Sequence, residues 1–297
     1  MKFSVVAGTL AIISASVFGA SVAGMSDGFC VSPGTLVAVP GGWKAVEELK
    51  VGETLREGIV EGILKTTGKG SKCVDISGVI MSSSHVVFEN GWKLAKNHSS
   101  AKAVLESPDF LYCLNTSTRN WIVQTSNSEL LLRDWEELPE GYDDFWENMI
   151  CIMLNGKSLK PPIFSKGGRG TIPLDTMVLE KDKGAISIYE VCIGDHIKDS
   201  SNTYTEVLGK YEDVECDVES LWYWNEKLDV WAHPIKNSSV HKHGYHLITS
   251  SSTFFIYMID GKIYSIRDFT EVGTDRIHET YHLTLSLLAT SAVKYQS

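Results

Sequence analysis

The sequence predicts an all-β protein built as two tandem modules behind one hydrophobic N-terminal helix, and three observations carry that expectation. Short runs of Val, Ile, Thr and Tyr alternate in polarity and are broken by Gly, Asn, Asp or Ser about every eight to twelve residues. No stretch beyond the N-terminal leader sustains a helical period. Three sequence segments recur in one order, which is the mark of a repeat.

In the first segment, Thr35-Leu36-Val37-Ala38-Val39 alternates as a strand does, Pro40-Gly41-Gly42 closes it as a turn, and Val46 to Leu55 follows. The order returns at Thr176-Met177-Val178-Leu179, a turn at Lys183-Gly184, and Ile188 to Ile197. Val79 to Phe88 is then matched with Leu247 to Ile256, and Tyr112-Cys113-Leu114-Asn115 more faintly with Tyr281-His282-Leu283-Thr284. These matches place one module at residues 30–132 and a second at 171–290, the latter carrying an insertion at about 213–244. The acidic stretch between them, residues 133–170, reads as a connector. It contains the best internal helix candidate and ends in the Pro/Gly tracts Lys160-Pro161-Pro162 and Gly167-Gly168-Arg169-Gly170.

Composition narrows the function. The 297 residues are 43% hydrophobic and 22% charged, as in ordinary globular chains, and 27 basic against 37 acidic residues leave a formal charge of −10. A nucleic-acid partner calls for a basic face, so none is expected. The six cysteines are scattered with no CxxC, unlike the dense pattern of a small disulfide framework. Residues 3–24 carry no charge and, at about 1.5 Å per residue, are long enough to cross a hydrocarbon core of about 30 Å. They read as a single-pass membrane anchor, as a signal peptide cleaved after Ser21-Val22-Ala23 and followed by secretion, or as a leader placed before a true start at Met25.

The stretch Gly28-Phe29-Cys30-Val31-Ser32-Pro33-Gly34-Thr35 sets a cysteine beside a turn at the head of the first module. A thiol there has the chemistry to attack the carbonyl of the preceding residue and turn the Phe29–Cys30 amide into a thioester. The shift is uphill and needs a proton for the departing nitrogen, which a histidine is suited to supply. His85 is the candidate, with the Ser82 hydroxyl hydrogen-bonding near the scissile carbonyl. Water or a small nucleophile would then resolve the thioester, and no cofactor is required.

These residues resemble the Hint family, the hedgehog autoprocessing domains and inteins. Cys30-x-x-Pro33-Gly34-Thr35-x-Val37 with Gly42-x4-Val46-x2-Leu49-x2-Gly52-Glu53 is similar to the family's opening. Ser82-x-x-His85 resembles its Thr-x-x-His, Asn90 to Ala95 the turn and strand that follow, and Leu111 to Val123 a block near its end. The resemblance implies a flattened β fold with Cys30 near its centre as nucleophile, and self-cleavage at one end. The His-Asn pair that completes intein splicing does not follow, so splicing is not expected. Asp75 and Cys113 are possible auxiliaries, the one as a base and the other as a second acyl acceptor. In the second module Thr171 falls where Cys30 would and Thr253 where His85 would, which makes an inert copy.

Two further groups lie in the insertion. His233, His241, His243 and His246 form either a metal-binding cluster or a surface loop. Trp222, Tyr223, Trp224 and Trp231 form either a stacking face or a hydrophobic plug. Three functions stand side by side: single-turnover self-cleavage before Cys30, a catalytically inactive β module for binding or assembly, and a secreted disulfide-bonded domain.

Overall fold

The computed structural model describes residues 30–134, 170–232 and 243–268, and among them it is all-β with several antiparallel sheets. The first half holds β1 (Leu36–Val39), β2 (Gly42–Ala45), β3 (Thr54–Leu55), β4 (Gly58–Thr67), β5 (Cys73–Ile76), β6 (Val79–Ser82), β7 (Val86–Phe88), β8 (Trp92–Leu94), β9 (Ala101–Ala103), β10 (Phe110–Thr116), β11 (Asn120–Gln124) and β12 (Glu129–Arg133). The second holds β13 (Ile172–Pro173), β14 (Met177–Glu180), β15 (Gly184–Ser187), β16 (His196–Lys198), β17 (Tyr204–Asp213), β18 (Tyr223–Asn225), β19 (Val230–Ala232), β20 (Gly244–Thr249), β21 (Thr253–Tyr257) and β22 (Ile263–Arg267). Helix among the described residues is limited to single 3-10 turns such as Val46–Glu48 and Ile188–Glu190.

The long strands show why alternation decides the fold. Val60, Gly62, Leu64 and Thr66 of β4 are buried while their neighbours are not, and Thr205, Val207, Gly209, Tyr211 and Asp213 of β17 repeat that pattern. One face of each strand is thus removed from water, at about 1.5–3 kcal/mol per large aliphatic side chain. Apolar clusters form on either side, one around Val37, Leu114, Trp121 and Leu132, the other around Val178, Leu247, Phe254 and Ile266.

β4 and β17 pair antiparallel, and the register is symmetric about the pair Leu64–Tyr211. Gly62 faces Asp213 on one side of it and Thr66 faces Gly209 on the other. β10 lies along β4 with a bulge between Asn115 and Thr116, and β20 lies along β17 with a bulge between Val207 and Gly209. Thr116 then bonds the carboxylate of Asp134 through its N–H (2.9 Å) and hydroxyl (3.1 Å), and Thr249 bonds that of Asp268 in the same way (2.8 and 3.4 Å).

The order Thr35 to Leu55 does recur in structure, since Val46 N–H donates to Thr35 O and Ile188 N–H to Thr176 O, both at 2.9 Å. The second match is overturned. Val79–Ser82 lies on β6, which pairs with β5, whereas Leu247 lies on β20 against β17, the place that β10 takes on β4. The segment of the second half that corresponds to Tyr112 to Thr116 is Tyr245 to Thr249. Likewise the hairpin β18–β19, expected inside an insertion, pairs through β18 with β22 as β7 pairs with β12. Arg133 lies over Trp92 (5.8 Å) and Arg267 over Trp231 (5.6 Å).

The first half continues past the expected end at residue 132, because Arg133 completes β12 and Asp134 takes the bonds from Thr116. The leader 1–24, Phe29, the connector from 135 to 169, Cys151, His233, His241 and the segment Tyr281 to Thr284 lie outside the described residues. No helix among the described residues is long and apolar enough to cross a membrane.

Candidate functional site

Cys30 opens the described chain and is fixed by its neighbour. Val31 bridges two strands at once, Tyr112 of β10 and Met81 of β6, and exchanges backbone bonds with Tyr112 at 2.7 and 2.8 Å. Cys30 is thereby held between β10 and β6 with no exposed surface. Its amide N–H donates to the Ser82 hydroxyl at 2.8 Å, and that hydroxyl donates to the carbonyl of Cys30 at 3.1 Å. The Ser82 N–H donates to the same carbonyl at 2.9 Å. Ser82 therefore touches the nitrogen side of the Phe29–Cys30 amide, where the sequence placed it near the carbonyl.

The register that delivers Ser82 comes from the β5–β6 hairpin. Ile76 pairs with Val79 across a two-residue turn in which Ser77 and Gly78 have φ of 52° and 93°, the left-handed pair that matches strand twist. Asp75 accepts the Gly78 N–H at 2.6 Å and so closes this turn. Its carboxylate is committed there, and the structure does not bring it to Cys30. Counting back, the hairpin sets Cys73 opposite Ser82.

His85 follows Ser82 in a tight turn, its N–H donating to Ser82 O at 3.0 Å and its carbonyl accepting from Ala95 at 2.6 Å. The ring is fully buried and tilts against Trp121, centroids 6.2 Å apart. Burial pushes its pKa down to about 3. The imidazole is therefore neutral near pH 7, and it acts first as a proton acceptor rather than as a ready acid.

Three buried thiols share one apolar cluster, Cys30, Cys73 and Cys113, with Leu64, Val86, Tyr211 and Ile248. Tyr211 and Ile248 come from the second half, so both halves wall the site. Cys113 follows Tyr112, which places it one residue from the pair that fixes Val31. Burial, and then the neighbouring Cys30, push the Cys73 thiol up to about 11. Cys73 and Trp121 were missed as site residues, since nothing in an alternating run marks which inward residue meets the nucleophile. All five described cysteines are unpaired thiols.

In the second half Thr171 is fully buried ahead of β13. Thr253 does not stand where His85 does. It begins β21, shares a hydrogen bond with Ser200 (2.6 Å), and pairs with Arg267. Of the predicted histidine cluster, His243 is exposed 3.6 Å from Glu212, whereas His246 is buried against Phe254. No three metal-ligating side chains come together among the described residues. Trp224 and Trp231 meet edge-to-face across their hairpin, Tyr223 packs on Tyr264, and Trp222 is buried.

No family model matches the chain, and no curated protein matches it. Among solved structures, the AceL NrdHF class 3 split intein, in a GSH-linked, splice-inactive variant, aligns with 12% identity over 36% of this chain and 99% of its own. The TM-score is 0.21, and at that level the likeness carries no argument about fold or chemistry.

Proposed function

We propose that the chain is a tandem of two copies of one Hint-type β module, and that the first copy cleaves itself between Phe29 and Cys30. The tandem reading is supported by the recurring order of elements, the two bulges and the two Thr–Asp contacts. The observation that carries the site is the pair of bonds between the Ser82 hydroxyl and the Cys30 backbone, made from the turn that also holds His85.

In this mechanism the neutral His85 takes the Cys30 thiol proton, and the thiolate sulfur attacks the Phe29 carbonyl carbon. The C–S bond forms and the C–N bond to Cys30 breaks. The imidazolium, strongly acidic in its buried place, returns the proton to the departing nitrogen, which Ser82 holds in line. Water or a small nucleophile resolves the thioester and leaves Cys30 with a free amine. Residues 1–29, with the apolar leader, separate from the β domain.

Incubating the purified full chain with and without a small thiol tests this. The expected product lacks 29 residues and forms faster with thiol. An intact mass that matches a Cys30→Ala control throughout would overturn it. The full burial of Cys30 favours a second reading, a binding or assembly module in which no acceptor reaches the sulfur. That reading expects an unchanged mass.

A further inference from the structure

The second half keeps a buried imidazole beside its leading residue, supplied from another strand. Ile172 pairs with Tyr245 as Val31 bridges Tyr112. One step back along each antiparallel pair, Thr171 lies opposite His246 as Cys30 lies opposite Cys113. The His246 ring meets Phe254 at 5.9 Å and 78°, and the His85 ring meets Trp121 at 6.2 Å and 53°. Phe254 pairs with Ile266 on β22, and Trp121 with Leu132 on β12, so the two aromatics hold corresponding places. In both halves an imidazole therefore packs on the same aromatic position near the head of the module.

The residue before Thr171 is also particular. Gly170 has φ +53°, and a Cβ on it would stand 3.0 Å from the Ser220 carbonyl oxygen, so conformation and space both require glycine there. Gly170, Ser220, Leu221, His246, Arg267 and Asp268 line one recess. Thr171 is held as Cys30 is: its N–H donates to Asp217 O at 2.9 Å, while its hydroxyl accepts from Asp217 N–H at 2.7 Å and donates to Glu215 O at 3.0 Å.

We propose that the Gly170–Thr171 peptide bond is a second self-cleavage site, with Thr171 Oγ1 as nucleophile and His246 as hydrogen-bond donor to the Gly170 carbonyl oxygen. His246 Nδ1 accepts the Leu247 N–H at 2.9 Å, which leaves the ring proton on Nε2. Burial holds the ring neutral, its pKa pushed down to about 3, so it donates without carrying charge. The Oγ1–C bond forms, the C–N bond to Thr171 breaks, and the hydroxyl proton ends on the Thr171 nitrogen. Water then hydrolyses the ester, giving a Gly170 carboxylate and restoring Thr171 with a free amine. The step uses the same acyl-shift chemistry as the Cys30 reading on different residues.

The test is intact mass and peptide mapping of the full chain incubated in neutral hydroxylamine, which traps the ester. The expected result is a fragment beginning at Thr171 and a hydroxamate on Gly170, distinct in mass from cutting at Asn155–Gly156. Thr171→Ser keeps the fragment, Thr171→Ala abolishes it, and His246→Phe lowers its rate about a hundredfold, as loss of one oxyanion donor does. Cys30→Ala leaves it unchanged while removing any cut before residue 30, so the two sites fail separately. Absence of the fragment from the wild-type chain, or equal yield from a folded Thr171→Ala chain, overturns the site. An unchanged rate in His246→Phe overturns the role given to His246.

Discussion

Ser82 closes both sides of the Cys30 backbone with one hydroxyl, accepting from its N–H at 2.8 Å and donating to its carbonyl at 3.1 Å. A residue read from sequence as a helper to a histidine is thus the group that fixes the nucleophile's own amide. The contact is fully buried, so neither group has water as a substitute.

Ser82→Ala leaves a buried N–H without that acceptor, a loss of about 1–3 kcal/mol in unfolding free energy. Ser82→Thr keeps the hydroxyl, and its stiffer χ1 suits a strand end. Urea unfolding of the three proteins should rank wild type and Thr together above Ala. The rate of cleavage before residue 30 should fall in Ala alone. Equal midpoints for Ala and wild type would remove the role assigned to this hydroxyl.

Gly62 and Tyr211 make a comparable demand where the two halves meet. A Cβ on Gly62 would fall 2.0 Å from the Tyr211 hydroxyl oxygen. The phenol crosses β4 there to accept from Asn115 Nδ2 at 3.0 Å and donate to Asp213 at 2.5 Å. Gly62→Ala should cost about 1–3 kcal/mol through overpacking, and Tyr211→Phe about 1 kcal/mol through the lost bonds. The pair is in contact, so the double variant should be less destabilised than the sum. Additive losses in a double-mutant cycle would count against the contact.

Strand positions were legible because each buries one face. The Val60, Gly62, Leu64, Thr66 alternation is visible in sequence, as is the Cys30, Ser82 and His85 set. Partner choice was not. Leu247 to Ile256 looks like Val79 to Phe88 because both are apolar runs ending in serines, and composition does not say which strand lies alongside. Pairing with β17 decides it, through Thr249 and its bond to Asp268. The signal was present as Arg133-Asp134 against Arg267-Asp268, but a dipeptide is too short to stand out. His246 was hidden for the same reason: its meaning depends on facing Thr171, a fact of register.

Thiol accessibility separates the cysteines. Cys192 is exposed, and Cys216 is half-buried with its thiol pushed up to about 12, chiefly by burial. Alkylation of the native chain at pH 8 should label Cys192 well before Cys30, Cys73 or Cys113. Titration in denaturant without reductant should find all six thiols. A lower count there would revive the disulfide-bonded reading.

The pH dependence of stability follows from buried groups that resist ionisation. His85 and His246 are held near 3, against 6.5 for a free imidazole. Between those limits the unfolded chain binds more protons than the folded one, so stability rises with pH. Their contribution is complete above about 6.5 and is lost as pH falls toward about 3. Cys73 and Cys216 act on the alkaline side, raised from 9.0 to about 11 and about 12. There the unfolded chain loses protons first, and stability falls as pH rises above 9. Thermal melts from pH 4 to 10 should show a plateau between about 6.5 and 9 with a fall on both sides. Replacing His85 and His246 by Leu and Phe should flatten the acid limb. An acid limb of unchanged steepness in that double variant would mean that other groups drive it.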